Sequence, residues 1–329
     1  MSFDRLGVVG GGAWGTALAQ VGATDGRDVL LWAREPEVVE AINFGHENSV
    51  FLPGSKLDPA IRATGDLQEL AECAAWLVVT PAQHMRPVLE AAPVGDRPLI
   101  LCSKGIEEKS GLLLHAVARE ACPQASIAVL SGPTFAHEVA AGLPTAVTLA
   151  TGDQTLAEAL RDRIARPTFR IYLSEDVVGA EIGGAVKNVL AIACGIVEGA
   201  GLGQNARAAL IARGFAEMRR FGLANGAKRE TLAGLSGLGD LVLTCSSTSS
   251  RNYSLGKGIG EGRSAVELMS DRKTVAEGAF TAPVLTRVAE EMGIDMPVVA
   301  GVTKLLSGSA GVEQVLHELL ARPPRAEAH

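Results

Sequence analysis

Two lysines in this chain stand where an amine could take part in chemistry. Lys187 interrupts a small, apolar run, GAEIGGAVKNVLAIACG, whose other residues offer no polar face to carry the side chain into water. Burial lowers the pKa of a lysine toward the range useful for proton transfer, and a nearby carboxylate opposes that shift. Asp240, in LSGLGDLVLTC, is the candidate carboxylate. The pattern predicts an acid/base lysine at 187, with an ordinary exposed lysine as the alternative.

Lys104 and the segment LSGPTFAHEVA form a second group of candidates. Lys104, in LILCSKGIE, comes just after an apolar run typical of a strand, and Gly132 and Thr134 follow the next such run. Ligands of open α/β sheets bind outside the carboxyl ends of the strands, so these residues are expected to line one crevice. A solvated loop lysine is the alternative for Lys104.

A hydroxyl-rich stretch, TCSSTSSRNYSL, ends in Ser250, Arg251 and Asn252. A hydroxyl, a guanidinium and an amide in succession supply the hydrogen-bond donors that a phosphate or a nicotinamide ribose uses. A flexible serine-rich linker is the alternative, although NYSLGKG does not continue the low complexity. The net charge of -7 argues against a broad basic surface for nucleic acid or membranes, so any anion must be held by local clusters of this kind.

The N-terminal stretch VVGGGAWGTALA carries Gly10, Gly12 and Gly15 in G-x-G-x-x-G spacing, after a strand-like run and before a helix-like one. The first glycine forms a tight turn, the second lets the backbone approach a pyrophosphate, and the third lets helix and strand pack closely. The context predicts a dinucleotide site.

The residues after the second strand-like run, DVLLW, bear on the choice of dinucleotide. An arginine at this place suits a 2′-phosphate, whereas a carboxylate accepts hydrogen bonds from the ribose 2′-hydroxyl of NAD. Arg34 therefore favours NADP, and Glu35 as the ribose ligand of NAD is the alternative.

Short apolar runs alternate with helical patterns up to about Glu175, which predicts a parallel sheet covered by helices. After that point strand-like runs largely vanish and long Ala/Leu/Gly helical segments take over. We predict a nucleotide-binding domain over 1–175 and a helical substrate and catalytic domain over 176–329. The strands expected after DVLLW are Trp76–Val79, Leu99–Cys102, Ile127–Leu130, Ala146–Ala150 and Phe169–Leu173.

The composition agrees with a large two-domain protein. The chain has 329 residues, 47% of them hydrophobic, and a mean hydropathy of +0.21. Its five cysteines are scattered, without C-x-x-C spacing or a histidine pair, so neither a disulfide framework nor a metal site is expected. No signal segment is evident, and the longest unbroken apolar stretch is about nine residues against roughly 20 for a membrane span. These features favour a soluble protein of the cytoplasm.

Six segments appear in a fixed order along the chain: GGGAWGTALA, SKGIE, SGPTFAHEVA, GAVKNVLAIACGIVEGAGLGQNARAALIARG, GLGDLVLTCSSTSSRN and VAEGAFTA. Together they resemble the bacterial NAD(P)-dependent sn-glycerol-3-phosphate dehydrogenases over essentially the whole chain. The resemblance implies a Rossmann-type parallel-sheet domain followed by an all-helical domain similar to that of 6-phosphogluconate dehydrogenases. It also implies reversible NAD(P)H-dependent reduction of dihydroxyacetone phosphate to sn-glycerol 3-phosphate, which feeds glycerophospholipid synthesis.

Two other functions are kept as alternatives. One is a 3-hydroxyacid or 6-phosphogluconate-type dehydrogenase on the same architecture, and the other is a non-catalytic NADP-sensing protein. The expected partner is the small phosphorylated substrate, without nucleic acid or membrane insertion, and a homodimer is left open.

The resemblance and the glycine spacing together assign site residues by position. Lys187 is the expected general acid/base, with Lys104 and Asp240 as further catalytic residues. The family often has serine where this chain has Ala13, which removes one hydroxyl contact to the pyrophosphate. Expected cofactor contacts are Gly10, Gly12, Ala13, Trp14, Gly15, Arg34, Lys104, Ala136, Arg251, Val275 and Glu277. Expected substrate contacts are Lys104, Gly132, Thr134, Lys187, Asp240, Ser250, Arg251 and Asn252.

The substitution Arg34→Asp is expected to weaken binding of NADPH far more than binding of NADH. An ion pair to the 2′-phosphate contributes on the order of 1.5–3 kcal/mol, which corresponds to roughly ten- to hundredfold in affinity. Fluorescence titration of the variant with each reduced dinucleotide measures the two dissociation constants. An equal loss for both cofactors would contradict the assignment of Arg34 to the 2′-phosphate.

Overall fold

The structure, a computed structural model, describes residues 3–270 and 276–323. The chain divides into two compact units. The first, called the sheet unit, comprises Met1–Gly184 and Gly222–Asp240. The second, called the helical unit, comprises Ala185–Phe221 and Leu241–His329.

The sheet unit is built on one eight-stranded sheet of order β3-β2-β1-β4-β5-β6-β7-β8. Its first six strands, β1 to β6, are parallel throughout, in the order typical of Rossmann-type folds. The strands are β1 (Leu6–Val9), β2 (Val29–Trp32), β3 (Ile61–Thr64), β4 (Ala75–Val78), β5 (Leu99–Leu101), β6 (Ile127–Ser131), β7 (Thr145–Ala150) and β8 (Phe169–Ser174).

Helices cover the sheet, and alternate residues of the central strands are buried on opposite faces. Val8 and Leu31 belong to one core cluster, whereas Val9 and Leu30 belong to another, because successive side chains of a strand point to opposite sides. Burial on both faces is expected of a parallel sheet and explains the continuous apolar runs in the sequence. The helices before residue 177 are α1 (Ala13–Ala23), α2 (Pro36–Gly45), α3 (Met85–Ala91), α4 (Leu114–Ala121), α5 (Ala136–Ala140) and α6 (Gln154–Ile164), with 3-10 turns at Leu67–Glu72 and Ala82–His84.

The sheet differs from the sequence-based prediction in two ways: one strand is antiparallel to its neighbour, and one strand was not predicted. β7 runs antiparallel to β6, while β8 is parallel to β7. The only helix between β6 and β7 is α5, whose five residues rise about 7.5 Å, too little to carry the chain back along the sheet for a parallel strand. β3 was not expected, because its four residues include an exposed Arg62 and carry little apolar signal.

The later part of the chain is helical in the described residues, as expected. Its elements are α7 (Val177–Gly199), α8 (Gly203–Ala224), α9 (Arg229–Ala233), a π-helical turn (Leu235–Gly239), α10 (Asp240–Thr244), α11 (Arg251–Gly260), α12 (Ala265–Leu268), α13 (Glu277–Glu291), α14 (Pro297–Leu306) and α15 (Val312–Leu320). By length and composition α7 could cross a membrane, but 94% of its most apolar window is buried, as in the core helix of a protein.

Within the helical unit, α7 and α11 pack with their backbones in contact through a pair of glycines on each helix. A Cβ atom on Gly195 or Gly199 would overlap a carbonyl oxygen of α11. A Cβ atom on Gly256 or Gly260 would overlap a carbonyl oxygen of α7. Each pair is spaced four residues apart, which places both glycines on one face of its helix. We call this contact the glycine seam.

A buried carboxylate holds the start of α14 in the same unit. Glu217, on α8, is only 2% exposed and accepts the N–H groups of Val298 at 2.8 Å and Val299 at 3.2 Å. The pKa of Glu217 is raised to about 7, chiefly by burial and to a smaller extent by Asp295, while the two backbone N–H groups and Arg220 act in the opposite direction. Desolvation therefore outweighs the stabilising hydrogen bonds.

This shift predicts a stability that falls as the pH rises. The folded-state pKa of about 7 lies above the usual value of 4.5. Between these two pH values the carboxyl group is therefore protonated in the native state and ionised in the unfolded state. The stabilisation is complete below about pH 4.5 and is lost as the pH rises through 7, a change on the order of 3 kcal/mol. Urea unfolding of Glu217→Gln across this range should show a much flatter pH dependence than wild type.

The control is Glu291→Gln, at an exposed carboxylate paired with Arg287. That variant should keep the wild-type pH dependence. A Glu217→Gln variant with the same slope as wild type would contradict the buried-carboxylate explanation.

Candidate active site

The glycine loop between β1 and α1 is closely packed at two glycines of its G-x-G-x-x-G spacing and open at the third. Gly10 has φ +127°, and a Cβ atom there would lie 3.1 Å from the backbone of Val79. A Cβ on Gly15 would overlap the carbonyl oxygen of Gly10. Gly12 differs, because a Cβ there meets nothing within 4 Å. Gly12 is also the N-cap of α1, and no side chain caps that helix end. An open, uncapped helix N-terminus fits the pyrophosphate of a dinucleotide.

Arg34 lies at the carboxyl end of β2, at the same edge of the sheet as the glycine loop. Its side chain is 77% exposed, and Nη2 lies 2.9 Å from Oε1 of Glu35. The carboxylate of Glu35 is thus paired with the arginine, while much of the guanidinium faces solvent. Of the neighbouring candidates, Ala13 and Trp14 form the first two positions of α1 and are half-buried.

A buried ion pair joins Lys104 to Asp240 within the sheet unit. Lys104 follows β5, and its Nζ lies 2.6 Å from Oδ2 of Asp240 and donates to the carbonyl of Gly132 at 3.1 Å. Asp240 is fully buried, and the side chain of Lys104 is only 14% exposed. A buried charge pair of this kind fixes both side chains, because breaking it would leave one charge uncompensated. The structure therefore brings together three residues that the sequence placed in separate segments.

The π-helical turn positions Asp240 for this contact. The N–H of Gly239 bonds to the carbonyl of Gly234 at 3.0 Å, and the N–H of Asp240 bonds to the carbonyl of Leu235. These bonds span five residues instead of four, the pattern that marks a π-helix and that often occurs at functional sites.

In the helical unit, Lys187 is buried as the apolar context of α7 predicted, with 6% exposure. Its Nζ donates to Oγ1 of Thr244 at 2.9 Å. Thr244, at the end of α10, is itself buried.

Ser250, Arg251 and Asn252 begin α11 and do not form the flexible linker that was the alternative. Ser250 is the N-cap, with its Oγ accepting the N–H of Tyr253 at 3.2 Å. Asn252 donates through Nδ2 to Oδ1 of Asn188 at 3.0 Å and accepts the N–H of Gly278 at 2.9 Å. Arg251 is exposed at the helix start.

Two of the remaining candidates are the first residues of helices, and a third lies in the loop between β6 and α5. Ala136 is the first residue of α5, Glu277 is the first residue of α13, and Thr134 directs Oγ1 to the carbonyl of Gly132 at 3.4 Å. Val275 lies outside the described residues. Over 3–270 and 276–323, no group of three or more His, Cys, Asp or Glu side chains is placed to hold a metal ion.

The structure also reveals residues that the sequence did not suggest. Asn48 is fully buried beside the glycine loop. Ser131, at the end of β6, has a buried hydroxyl without a hydrogen-bond partner among the described residues. A Cβ atom added to Gly184 would lie 3.2 Å from that hydroxyl and 3.2 Å from Cγ of Lys104. Ser131 and Lys104 therefore both pack against Gly184. The only signal for Ser131 was its place directly before Gly132, and Asn48 had none.

A Rossmann-type sheet with a glycine-rich first turn, and polar groups at the carboxyl ends of its strands, is the arrangement typical of dinucleotide-binding proteins. Residues 5–157 match the sequence model of the NAD-dependent glycerol-3-phosphate dehydrogenase N-terminus, and residues 176–317 match that of its C-terminus. The chain belongs to the NAD-dependent glycerol-3-phosphate dehydrogenase family.

Full-length relatives and a solved structure agree. The glycerol-3-phosphate dehydrogenase [NAD(P)+] of Erythrobacter litoralis is 65% identical over 323 residues, covering 98% of each chain. The enzyme of the same name from Novosphingobium aromaticivorans is 64% identical over 328 residues, covering 99% of each. The crystal structure of glycerol-3-phosphate dehydrogenase from Coxiella burnetii has a TM-score of 0.93 and 38% identity, over 98% of this chain and 99% of that one. The resemblance and fold class expected from the sequence are confirmed.

Two glycine substitutions test cofactor binding and packing of the fold separately. Gly12→Ala should unfold at nearly the wild-type temperature and bind NADPH and NADH more weakly, because its methyl group points into the open side of the loop. Gly15→Ala should lower the melting temperature, because its methyl group overlaps the Gly10 carbonyl. Thermal unfolding and dinucleotide titration measure both effects. Unchanged dinucleotide binding by Gly12→Ala would contradict this position for the pyrophosphate.

Proposed function

We propose that this protein catalyses the reversible NAD(P)H-dependent reduction of dihydroxyacetone phosphate to sn-glycerol 3-phosphate. Membership of the family supports the reaction. The observation in the structure that carries the proposal is the burial of Lys187 in the apolar helix α7. Its amine donates a hydrogen bond to Thr244. A buried, hydrogen-bonded amine is suited to donate a proton to a developing alkoxide.

In this proposal Lys187 is the general acid of the reduction and the general base of the reverse reaction. NAD(P)H, when bound, supplies the hydride for the carbonyl carbon of the substrate. Negative charge develops on the carbonyl oxygen, and the Lys187 ammonium stabilises that charge and donates the proton. Thr244 accepts a hydrogen bond from Nζ and so directs the amine.

The pair of Lys104 and Asp240 is proposed to orient the substrate. The ammonium of Lys104 supplies positive potential, and the buried carboxylate of Asp240 and the carbonyl of Gly132 fix its position. Thr134 is proposed as a further substrate contact at the same carbonyl. Such preorganised groups lower the barrier because they need not rearrange during the reaction.

The start of α11 is proposed to bind the substrate phosphate. Arg251 is exposed there, and the N-terminus of a ten-residue helix favours an anion. Ser250 and Asn252 fix this helix start through the hydrogen bonds already described, and they are proposed as substrate contacts. In a chain of net charge -7, a local guanidinium and helix end replace a broad basic surface.

The cofactor roles proposed for Gly10, Gly12, Gly15 and Arg34 are supported by the open loop and by the exposed guanidinium after β2. Ala13, Trp14, Lys104, Ala136, Arg251, Val275 and Glu277 are proposed as further cofactor contacts. The exposed arginine favours NADP(H), with NAD(H) as a second cofactor.

We further propose that residues 1–175 form the cofactor-binding domain, which also contributes Lys104 and Thr134 to the substrate site. Residues 176–329 are proposed to form the helical substrate and catalytic domain, and the two family matches support this division. A cytoplasmic location is supported by five cysteines that are all buried and none of which forms a disulfide in the part of the chain that the structure describes. The proposed product is a precursor of glycerophospholipids, and a homodimer is left open.

Turnover of the Lys187→Ala variant tests the proposed general acid. Its kcat with dihydroxyacetone phosphate should fall by roughly 10²–10⁴-fold, while NADPH binds nearly as in wild type, because the lost contribution is proton transfer. The absorbance of the reduced nicotinamide follows turnover, and fluorescence titration follows binding.

Lys257→Ala is the matched control, since Lys257 is a half-exposed lysine of the same unit that pairs with Glu261. It should keep wild-type turnover. Near-normal turnover of Lys187→Ala would overturn the assignment. Wild-type turnover of 3-hydroxyisobutyrate or 6-phosphogluconate in preference to dihydroxyacetone phosphate would overturn the proposed substrate.

A further inference from the structure

We infer that Asn48 is a positioning residue for dinucleotide binding, one that orients the peptide between Gly11 and Gly12. This inference rests on the proposed use of a nicotinamide dinucleotide. Asn48 lies outside the glycine spacing and is fully buried. Its Nδ2 donates to the carbonyl of Gly11 at 2.8 Å and to Oγ1 of Thr16 at 2.8 Å.

The carbonyl and the N–H of one trans peptide point in opposite directions. Because Asn48 holds the carbonyl of Gly11 in the interior, the N–H of Gly12 points to the other side. Gly11 is buried and Gly12 is exposed, and space beyond Gly12 is open for at least 4 Å around an added Cβ. Asn48 thus turns a hydrogen-bond donor toward the side from which the pyrophosphate approaches.

This peptide needs such a restraint because glycines flank it. Glycine adopts backbone conformations that other residues avoid, so rotation of a peptide between two glycines costs little. A rotated peptide would present the carbonyl oxygen of Gly11 to the phosphates and would replace attraction by repulsion. The hydrogen bond from Asn48 opposes that rotation in the absence of ligand, so less of the binding free energy is spent on ordering the loop.

The orientation of the Asn48 amide is itself determined by its neighbours. Its Oδ1 accepts the N–H of Phe51 at 3.0 Å, so the NH₂ group must face Gly11 and Thr16. Thr16 also directs its hydroxyl toward the carbonyl of Gly11, at 3.5 Å. Asn48 and Thr16 together restrain one carbonyl oxygen.

Asn43 provides a matched comparison in the same unit. Its Nδ2 donates to the carbonyl of Ala63 at 2.9 Å, and its Oδ1 accepts the N–H of Ala63 at 2.8 Å. Both asparagines therefore bond to main-chain groups, but Asn43 bonds to β3 and Asn48 to the glycine loop. A general effect of losing an asparagine that bonds to the main chain should appear in both variants. A specific effect on pyrophosphate binding should appear only in Asn48→Ala.

The test measures binding of NADPH, NADH and adenosine 2′-phosphate to Asn48→Ala and Asn43→Ala by calorimetric titration. Asn48→Ala should bind both dinucleotides about tenfold more weakly, by an equal factor, because the pyrophosphate is common to them. Adenosine 2′-phosphate has no pyrophosphate, so its affinity should stay within twofold of wild type. Asn43→Ala should bind all three ligands as wild type does.

Thr16→Val decides the matter if Asn48→Ala does not fold, because valine keeps the volume of threonine and removes only the hydroxyl. It should weaken both dinucleotides about threefold and leave adenosine 2′-phosphate unchanged. Wild-type dinucleotide affinity in the folded variant, or an equal loss for adenosine 2′-phosphate, would overturn the inference. Failure of the wild-type protein to bind NADPH or NADH would instead contradict the proposed function.

Discussion

Direct contact between the backbones of α7 and α11 is the constraint on which the helical unit depends. The glycine seam leaves no room for side chains, so the separation and register of the two helices are set by main-chain atoms. Lys187 and Asn188 lie on one of these helices, and Arg251 and Asn252 begin the other. Long polar side chains could not hold their relative positions so closely, because each would add rotatable bonds. The hydrogen bond between Asn188 and Asn252 then acts on helices already in place.

In the sheet unit, the positions of the polar residues are fixed in a different way. Its strands are fixed by burial on both faces, and its polar residues lie where the strands end. A fully buried Asp240 and a mostly buried Lys104 form an ion pair there, and a main-chain carbonyl accepts a second hydrogen bond from the lysine. Both members of this ion pair have partners that the rigid scaffold supplies, which lowers the cost of burying them.

The sequence predicted local features well and long-range partners poorly. Apolar runs located seven of the eight strands, and glycine spacing located the tight turn between β1 and α1, because these signals lie within a few residues of one another. The short β3 and the antiparallel β7 depend on tertiary pairing. The bond from Asn48 to Gly11 spans 37 residues, and the bond from Lys104 to Asp240 spans 136. No local pattern marks partners so far apart, which is why Asn48 was missed and why Asp240 was not matched with Lys104.

The π-helical turn before Asp240 contains one residue more per turn than an α-helix would. Such a turn takes up one extra residue locally, so the helix that follows keeps nearly the phase it would have without that residue. If the same residues adopted ordinary α-helical geometry without any deletion, Asp240 would rotate by roughly 100° about the helix axis. The carboxylate would then leave Lys104 while the helix itself survived. The π-helical geometry of this short segment, and not its residue types alone, therefore determines whether the carboxylate reaches the lysine.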